Sequence, residues 1–393
     1  MKLNYKHTIA SCFVGCVSQA IIVNFPPLLF LTFMADYGIT TEQLSMIILT
    51  NFGVQLITDL LAARYTDKIG HRTCLVAGQL FCTLGLVSLT FLPDVLSGFP
   101  GLVISTAIYA VGGGLNEALI SPLLESCPTE NRTGIMSIMH SFYCWGVVFS
   151  VIVSTLFFVL CGIENWRAVS IIWALVPFLN AVALLFVPIN RDTGEVGRDG
   201  SAFIKSPVFL MFFVIMLASG AAEVAISQWA SVFAESALGV EKSMGDLIGV
   251  CGFAATMGIA RALYGAFSKR IKIRTALISS GVLCLIGYLV ISLAPSSTAS
   301  LIGCALTGFA VGIMWPGTLS YAGLRIKGSL TKAFGLLAFA GDIGCSVGPL
   351  LVGSVASIAG GNMKLGFLAA AVFPVILLVT LLFLRDGRQK TKK

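Results

Sequence analysis

Apolar residues along this chain come in runs of about 20, separated by short polar stretches that hold most of the charge. Twelve such runs begin near Thr8, Glu42, Thr73, Gly98, Gly134 and Trp166, then near Ser206, Ser243, Thr275, Ser300, Lys332 and Met363. A helix of about 20 mostly apolar residues spans the roughly 30 Å hydrocarbon layer of a bilayer. The runs are too long for barrel strands and lack period-two alternation, so each predicts a transmembrane helix and the fold class is an all-α membrane protein.

The polar stretches repeat. Ala63 to Arg72, with Asp67, Lys68 and Gly70 inside it, returns 202 positions later as Gly265 to Arg274, with Lys269, Arg270 and Lys272. The same offset aligns Asp59 with Arg261, and an offset of 200 aligns Ala110-Val-Gly112 with Ala310-Val-Gly312. Self-similarity at half the chain length predicts two pseudo-symmetric six-helix halves, the internal repeat of secondary transporters. Residues 1–189 form the first bundle on this reading and 206–393 the second, with a short basic tail; the polar segment 190–205 links them.

Composition agrees, with 57% hydrophobic residues, 11% charged residues and a mean hydropathy of +0.94 over 393 residues. Soluble domains carry roughly 25% charged residues. Of the 25 Lys and Arg, 21 fall in the loops and tails of one side, which the positive-inside rule makes cytoplasmic together with both termini. The net charge of +7 then follows from topology in the cell membrane and gives no reason to expect nucleic acid. Eleven cysteines are scattered singly without a CxxC pair, so they read as small apolar residues, and no metal or other cofactor is expected.

The segment ending in Asp67-Lys68-Ile-Gly70-His-Arg72 resembles the loop signature between helices two and three of the major facilitator superfamily, with Ala63 where that signature has Gly. The resemblance implies a twelve-helix major facilitator fold in which this loop stabilises one end of the transport cycle. Within the superfamily, Asn116-Glu117 with Ser121-Pro122 resembles the fourth helix of the fucose permease group, a group of sugar:proton symporters. Tyr143-Cys-Trp145-Gly146, Trp315-Pro316-Gly317 and Gly341-Asp342 resemble its fifth, tenth and eleventh helices. That group carries an acid in helix one, where this chain has Gln19 and Asn24.

Five ionisable residues fall at membrane depth: Asp59, Glu117, Glu223, Arg261 and Asp342. Such residues face a cavity or a partner. Glu117 shares a helix face with Gly113 and Ser121, and Glu223 shares one with Ser219, Ser227 and Ser231, so both are expected to line a cavity. Either acid is a candidate for carrying a proton. Asp59 and Arg261 are each expected to pair, across or within the halves, and so hold a conformation; Arg261 is the intramembrane cation available to Asp342, and the sequence leaves that pairing open. Gln19, Asn24, Asn51, Gln55, Asn116, Tyr143, Gln228 and Trp315 supply amides and rings suited to a polyhydroxylated solute. Pro26-Pro27 and Pro316 should interrupt their helices.

The expectation is a transporter for a small polar solute, a sugar by resemblance, driven by proton symport and working as a monomer in lipid. The alternative is a proton-coupled exporter of drugs or metabolites. The chain has no phosphate loop and no His/Glu metal pattern, which argues against an enzyme.

Overall fold

The computed structural model describes residues 4–128, 132–189, 204–267, 271–326 and 330–384. Eleven stretches among them are helical, long and apolar enough to cross a membrane. A further helix, His71–Ser88, completes twelve spans; His71, Arg72 and Gln79 make it more polar than the rest. In chain order the spans are α1 Tyr5–Tyr37, α2 Thr41–Ile69, α3 His71–Ser88, α4 Phe99–Ser126, α5 Arg132–Cys161 and α6 Ile163–Phe186. After the segment 190–203, which lies outside the described residues, come α7 Pro207–Ala237, α8 Lys242–Tyr264, α9 Ile273–Leu293, α10 Ser297–Arg325, α11 Leu330–Ile358 and α12 Met363–Phe383. The side chains of Asp67 and His140 also lie outside the described residues, as do Lys269 and Arg270.

Polar residues fix where these helices begin. Thr40 accepts the Gln43 N–H and Gln43 returns a bond to the Thr40 N–H, a reciprocal cap on α2. Ser206, Ser296 and Asn362 cap α7, α10 and α12 through the N–H three residues on. Gly70 ends α2 and opens α3 with φ of 104°, a conformation that favours glycine, which accounts for its place in the loop signature. Arg72 donates to the carbonyls of Leu184, Leu185 and Val187 at 2.6, 2.6 and 2.8 Å, and so closes the carboxyl end of α6. Its repeat mate Arg274 donates to the Leu381 carbonyl at 3.1 Å, at the matching end of α12. The charged loop of the repeat therefore ties α2–α3 to α6, and α8–α9 to α12.

The predicted interruptions occur. In α1 the helix Tyr5–Asn24 gives way to a tight turn at Pro26–Leu29 before Phe30–Tyr37. In α10, Ser297–Val311 and Met314–Arg325 are separate helices, the second carrying Pro316 in its first turn. The end of α7 and the start of α8 are π-helical, over Phe233–Ala237 and Gly245–Cys251.

Helices approach closely where side chains are small. A Cβ on Gly344 would stand 2.0 Å from the Leu217 carbonyl oxygen, and one on Gly348 2.3 Å from that of Ala221, so α11 lies directly on α7. Gly112 similarly brings α4 against Gly78 and Cys82 of α3. Across the middle of the molecule α2 packs on α11, α5 on α8, and the Pro26–Leu29 turn of α1 on α7. Leu160, Phe186, Leu293 and Phe383 are exposed on the outer surface, as lipid-facing residues should be.

Candidate functional site

A cavity of about 210 Å³ lies between the helices that precede the 190–203 segment and those that follow it. From the first set α1 contributes Gln19, α2 Gln55, α4 Asn116 and Glu117, and α5 Tyr143. From the second set α7 contributes Glu223, α8 Arg261, α10 Trp315, and α11 Asp342. Val23, Phe52, Ile120, Met139 and Val224 fill the apolar remainder. Nine of the residues singled out from sequence thus meet at one place, although they come from eight helices.

Amides hold one wall in order. Gln19 Nε2 donates to Gln55 Oε1 at 2.7 Å, and Gln55 Nε2 donates to Asn51 Oδ1 at 2.9 Å. Gln79 of α3 donates to Asn116 Oδ1 at 2.8 Å, and Asn116 donates on to the Cys82 sulfur. Asn24 Nδ2 donates to Tyr143 Oη at 3.3 Å and to the Ala20 carbonyl at 3.0 Å. Asn24 and Asn51 therefore stand behind the lining and position it. Gln19 Oε1 is buried and has no donor among the described residues. Gly113, expected along the cavity face of α4, is instead buried; a Cβ there would meet the Gln55 side chain at 2.9 Å, so the glycine admits the amide chain.

The opposite wall is ionic. Arg261 lies 3.7 Å from Glu223 Oε1, with both side chains less than a fifth exposed. Its Nε donates to the Gly312 carbonyl at 3.2 Å. Gly312 stands four residues before Pro316, whose ring nitrogen has no hydrogen to give it, so the guanidinium serves a carbonyl that the proline leaves open. The partner that sequence left undecided for Arg261 is thus Glu223.

Asp342 and Glu117 face the cavity from α11 and α4, and no hydrogen bond or ion pair reaches either carboxylate among the described residues. Asp59 was expected to pair, and this is corrected: its Oδ1 is buried without a hydrogen-bond partner among the described residues. The 202-residue alignment of Asp59 with Arg261 sets equivalent positions in two copies, and equivalent positions face different neighbours. Gln228 is also displaced from its expected place. It is buried in the contact between α7 and α1 and donates to the Val23 carbonyl at 3.2 Å.

That contact belongs to a cluster absent from the sequence-derived set. Twelve crossings leave both chain ends on one face, and Lys242 lies near the other. Lys242 Nζ is 3.2 Å from Glu235 Oε1 and 3.2 Å from Asp246 Oδ2, lies over the Phe158 ring, and donates to the Leu28 carbonyl across the middle of the molecule. Ser231 donates to Asp246 Oδ1 at 2.5 Å, and Asp246 is fully buried. The spacing Lys242-x-x-x-Asp246 on one helix was the available signal. On the same face a Cβ on Gly353 of α11 would fall 1.8 Å from Ser45 Oγ of α2. The cavity is thus sealed on the face away from the termini.

Twelve antiparallel helices gathered about a central polar cavity define a membrane transporter fold. The chain belongs to the Major Facilitator Superfamily, whose family model matches residues 9–327 and 238–393. The membrane protein MosC of Rhizobium meliloti is 21% identical over 336 residues, covering 85% of this chain and 80% of MosC. A crystal structure of the nucleoside transporter NupG superposes with a TM-score of 0.75 at 13% identity, covering 97% of this chain and 99% of that one. The E. coli fucose:proton symporter FucP gives 0.64 at 16% identity, covering 96% and 98%. At these identities the solved structures speak to the fold.

Proposed function

We propose that this protein is a secondary active transporter that moves a small polar solute, a sugar or a related polyhydroxylated metabolite, by alternating access with proton symport. The observation that carries this reading is the cavity: amides, a phenol, an indole and carboxylates from both sets of helices converge on a volume of about 210 Å³. Directed polar groups beside flat rings suit hydroxyls and sugar CH faces. The likeness to NupG, a nucleoside transporter, and to FucP, a fucose:proton symporter, supports the same class. Residues 1–189 and 206–393 are the halves that rock, with 190–205 joining them on the cytoplasmic side and both termini cytoplasmic in the cell membrane. Glu117 or Glu223 carries the proton on this reading; both line the cavity, and Glu117 has no partner among the described residues. The protein works as a monomer, since the cavity is complete within one chain.

The test is uptake of labelled hexoses, deoxyhexoses and amino sugars into proteoliposomes under an imposed pH gradient, with Glu117→Gln alongside. Accumulation of one solute above its equilibrium level, lost in the variant, is the expected result. Accumulation that persists in Glu117→Gln moves the proton site off α4. A second reading, export of amphipathic compounds, draws on Val23, Phe52, Ile120, Met139 and Val224 in the lining, and predicts gradient-driven extrusion instead.

A further inference from the structure

The charges around the cavity do not balance. Arg261 is the one cation among the described residues that line it, and it is already engaged with Glu223 and the Gly312 carbonyl. Glu117 and Asp342 remain, one on each side of the cavity, with no protein group bonded to either carboxylate among the described residues. Asp59 adds a third acid from α2, behind the lining, with a buried oxygen that has no partner among the described residues. A neutral polyol would fill the space between Glu117 and Asp342 and leave two carboxyl groups facing one another with no cation between them. Coupling to one proton needs one of these acids, and the others stay unexplained.

We propose that the solute is an amine-bearing polyhydroxylated molecule of about hexosamine size, whose ammonium group sits between Glu117 and Asp342. This rests on the transport reading above and names the substrate class of the same cavity. An ammonium offers three donors and no acceptor, the complement of two carboxylates, and bonds between ionised partners are about twice as strong as neutral ones. The rings of Trp315 and Tyr143 in the same lining add faces that attract a cation. The amide wall of Gln19, Gln55 and Asn116 receives the hydroxyls. A bare metal ion suits the site less well, because no three acidic, Cys or His groups among the described residues converge closely enough to hold one. An organic cation spans wider spacing. Glu117 and Asp342 also belong to different halves, so the ammonium would draw the two sides together as the solute binds.

Equilibrium binding by calorimetry on the purified full chain in detergent tests this, with D-glucosamine against D-glucose and D-galactosamine against D-galactose at pH 7. The expected result is that each amino sugar binds at least tenfold tighter than its neutral counterpart. In Asp342→Asn, and separately in Glu117→Gln, that ratio is expected to fall to within about threefold of unity. The wild-type ratio stands alone should either variant fail to fold. Equal affinities within each pair, a preference for the neutral sugar, or no binding of either amino sugar overturns the proposal. Uptake of the same four sugars into proteoliposomes separates the two readings. Accumulation of the neutral sugars without preference for the amines overturns this assignment and keeps the transporter; accumulation of none overturns both for this class of solute.

Discussion

Lys242→Met should open the face of the molecule that is closed here. The lysine makes two kinds of contact, and they respond differently when the halves separate. Its ion pairs to Glu235 and Asp246 lie within α7 and α8, so they travel together in a rigid-body motion. Its bond to the Leu28 carbonyl crosses to α1 and must break. The lysine's own share of the bias toward the closed face therefore comes chiefly from that charge-assisted hydrogen bond, worth about 1.5–3 kcal/mol. Removing it shifts the equilibrium between closed and open faces by about 10- to 150-fold, since each 1.4 kcal/mol is a factor of ten. Methionine keeps much of the stem that packs against Phe158. It also strands the fully buried Asp246, so overall stability falls as well, and Lys242→Met with Asp246→Asn restores stability without restoring the closed face. Double electron–electron resonance reads the opening directly, with spin labels at Asp36→Cys and Glu241→Cys in a background whose native cysteines are replaced. A new, longer distance should dominate in the variant. An unchanged distance distribution would refute the assignment of Lys242 as the latch.

Gly353→Ala places a methyl carbon 1.8 Å from Ser45 Oγ and 2.7 Å from the Trp229 ring, so it should open the same labelled face, and Ser45→Gly should reverse much of that effect. Arg261→Gln should lower thermal stability in detergent more than Glu223→Gln, because it leaves both Glu223 and the Gly312 carbonyl unserved; the double variant should show a coupling of roughly 1–3 kcal/mol, and strict additivity would deny the pair. Arg72→Ala should lower stability by about 1.5–3 kcal/mol through the three carbonyls it exposes at the end of α6. Arg72→Lys should recover only part of this, because an ammonium lacks the forked geometry that reaches all three; full recovery would mean that charge alone matters.

The fold was legible because its causes are local or periodic. Run length set the twelve spans, and Pro26-Pro27 and Pro316 marked two real breaks. The 202-residue repeat located Arg72 and Arg274 in equivalent loops, and both prove to close the end of a neighbouring helix. The cavity was legible in part, since intramembrane polar groups are too costly to place without cause, and nine of those picked out meet there. What a one-dimensional pattern does not encode is which helix faces which. Gln228 and Gln55 look alike in sequence, yet one joins α7 to α1 and the other lines the cavity. Lys242 is one of the four Lys and Arg outside the loops and tails of the cytoplasmic side, and the positive-inside argument used it only as a count. Its meaning depends on Leu28, 214 residues away, and on the Asp246 carboxylate that α5 and α7 bury. Asp59 and Arg261 show the same limit from the other direction. Symmetry assigns them equivalent positions, but one copy holds a cation that meets Glu223 and the other an acid whose Oδ1 is buried without a partner among the described residues. The departure from symmetry puts the cavity's cation on one side only, and a repeat that explains the scaffold is silent on the solute for that reason.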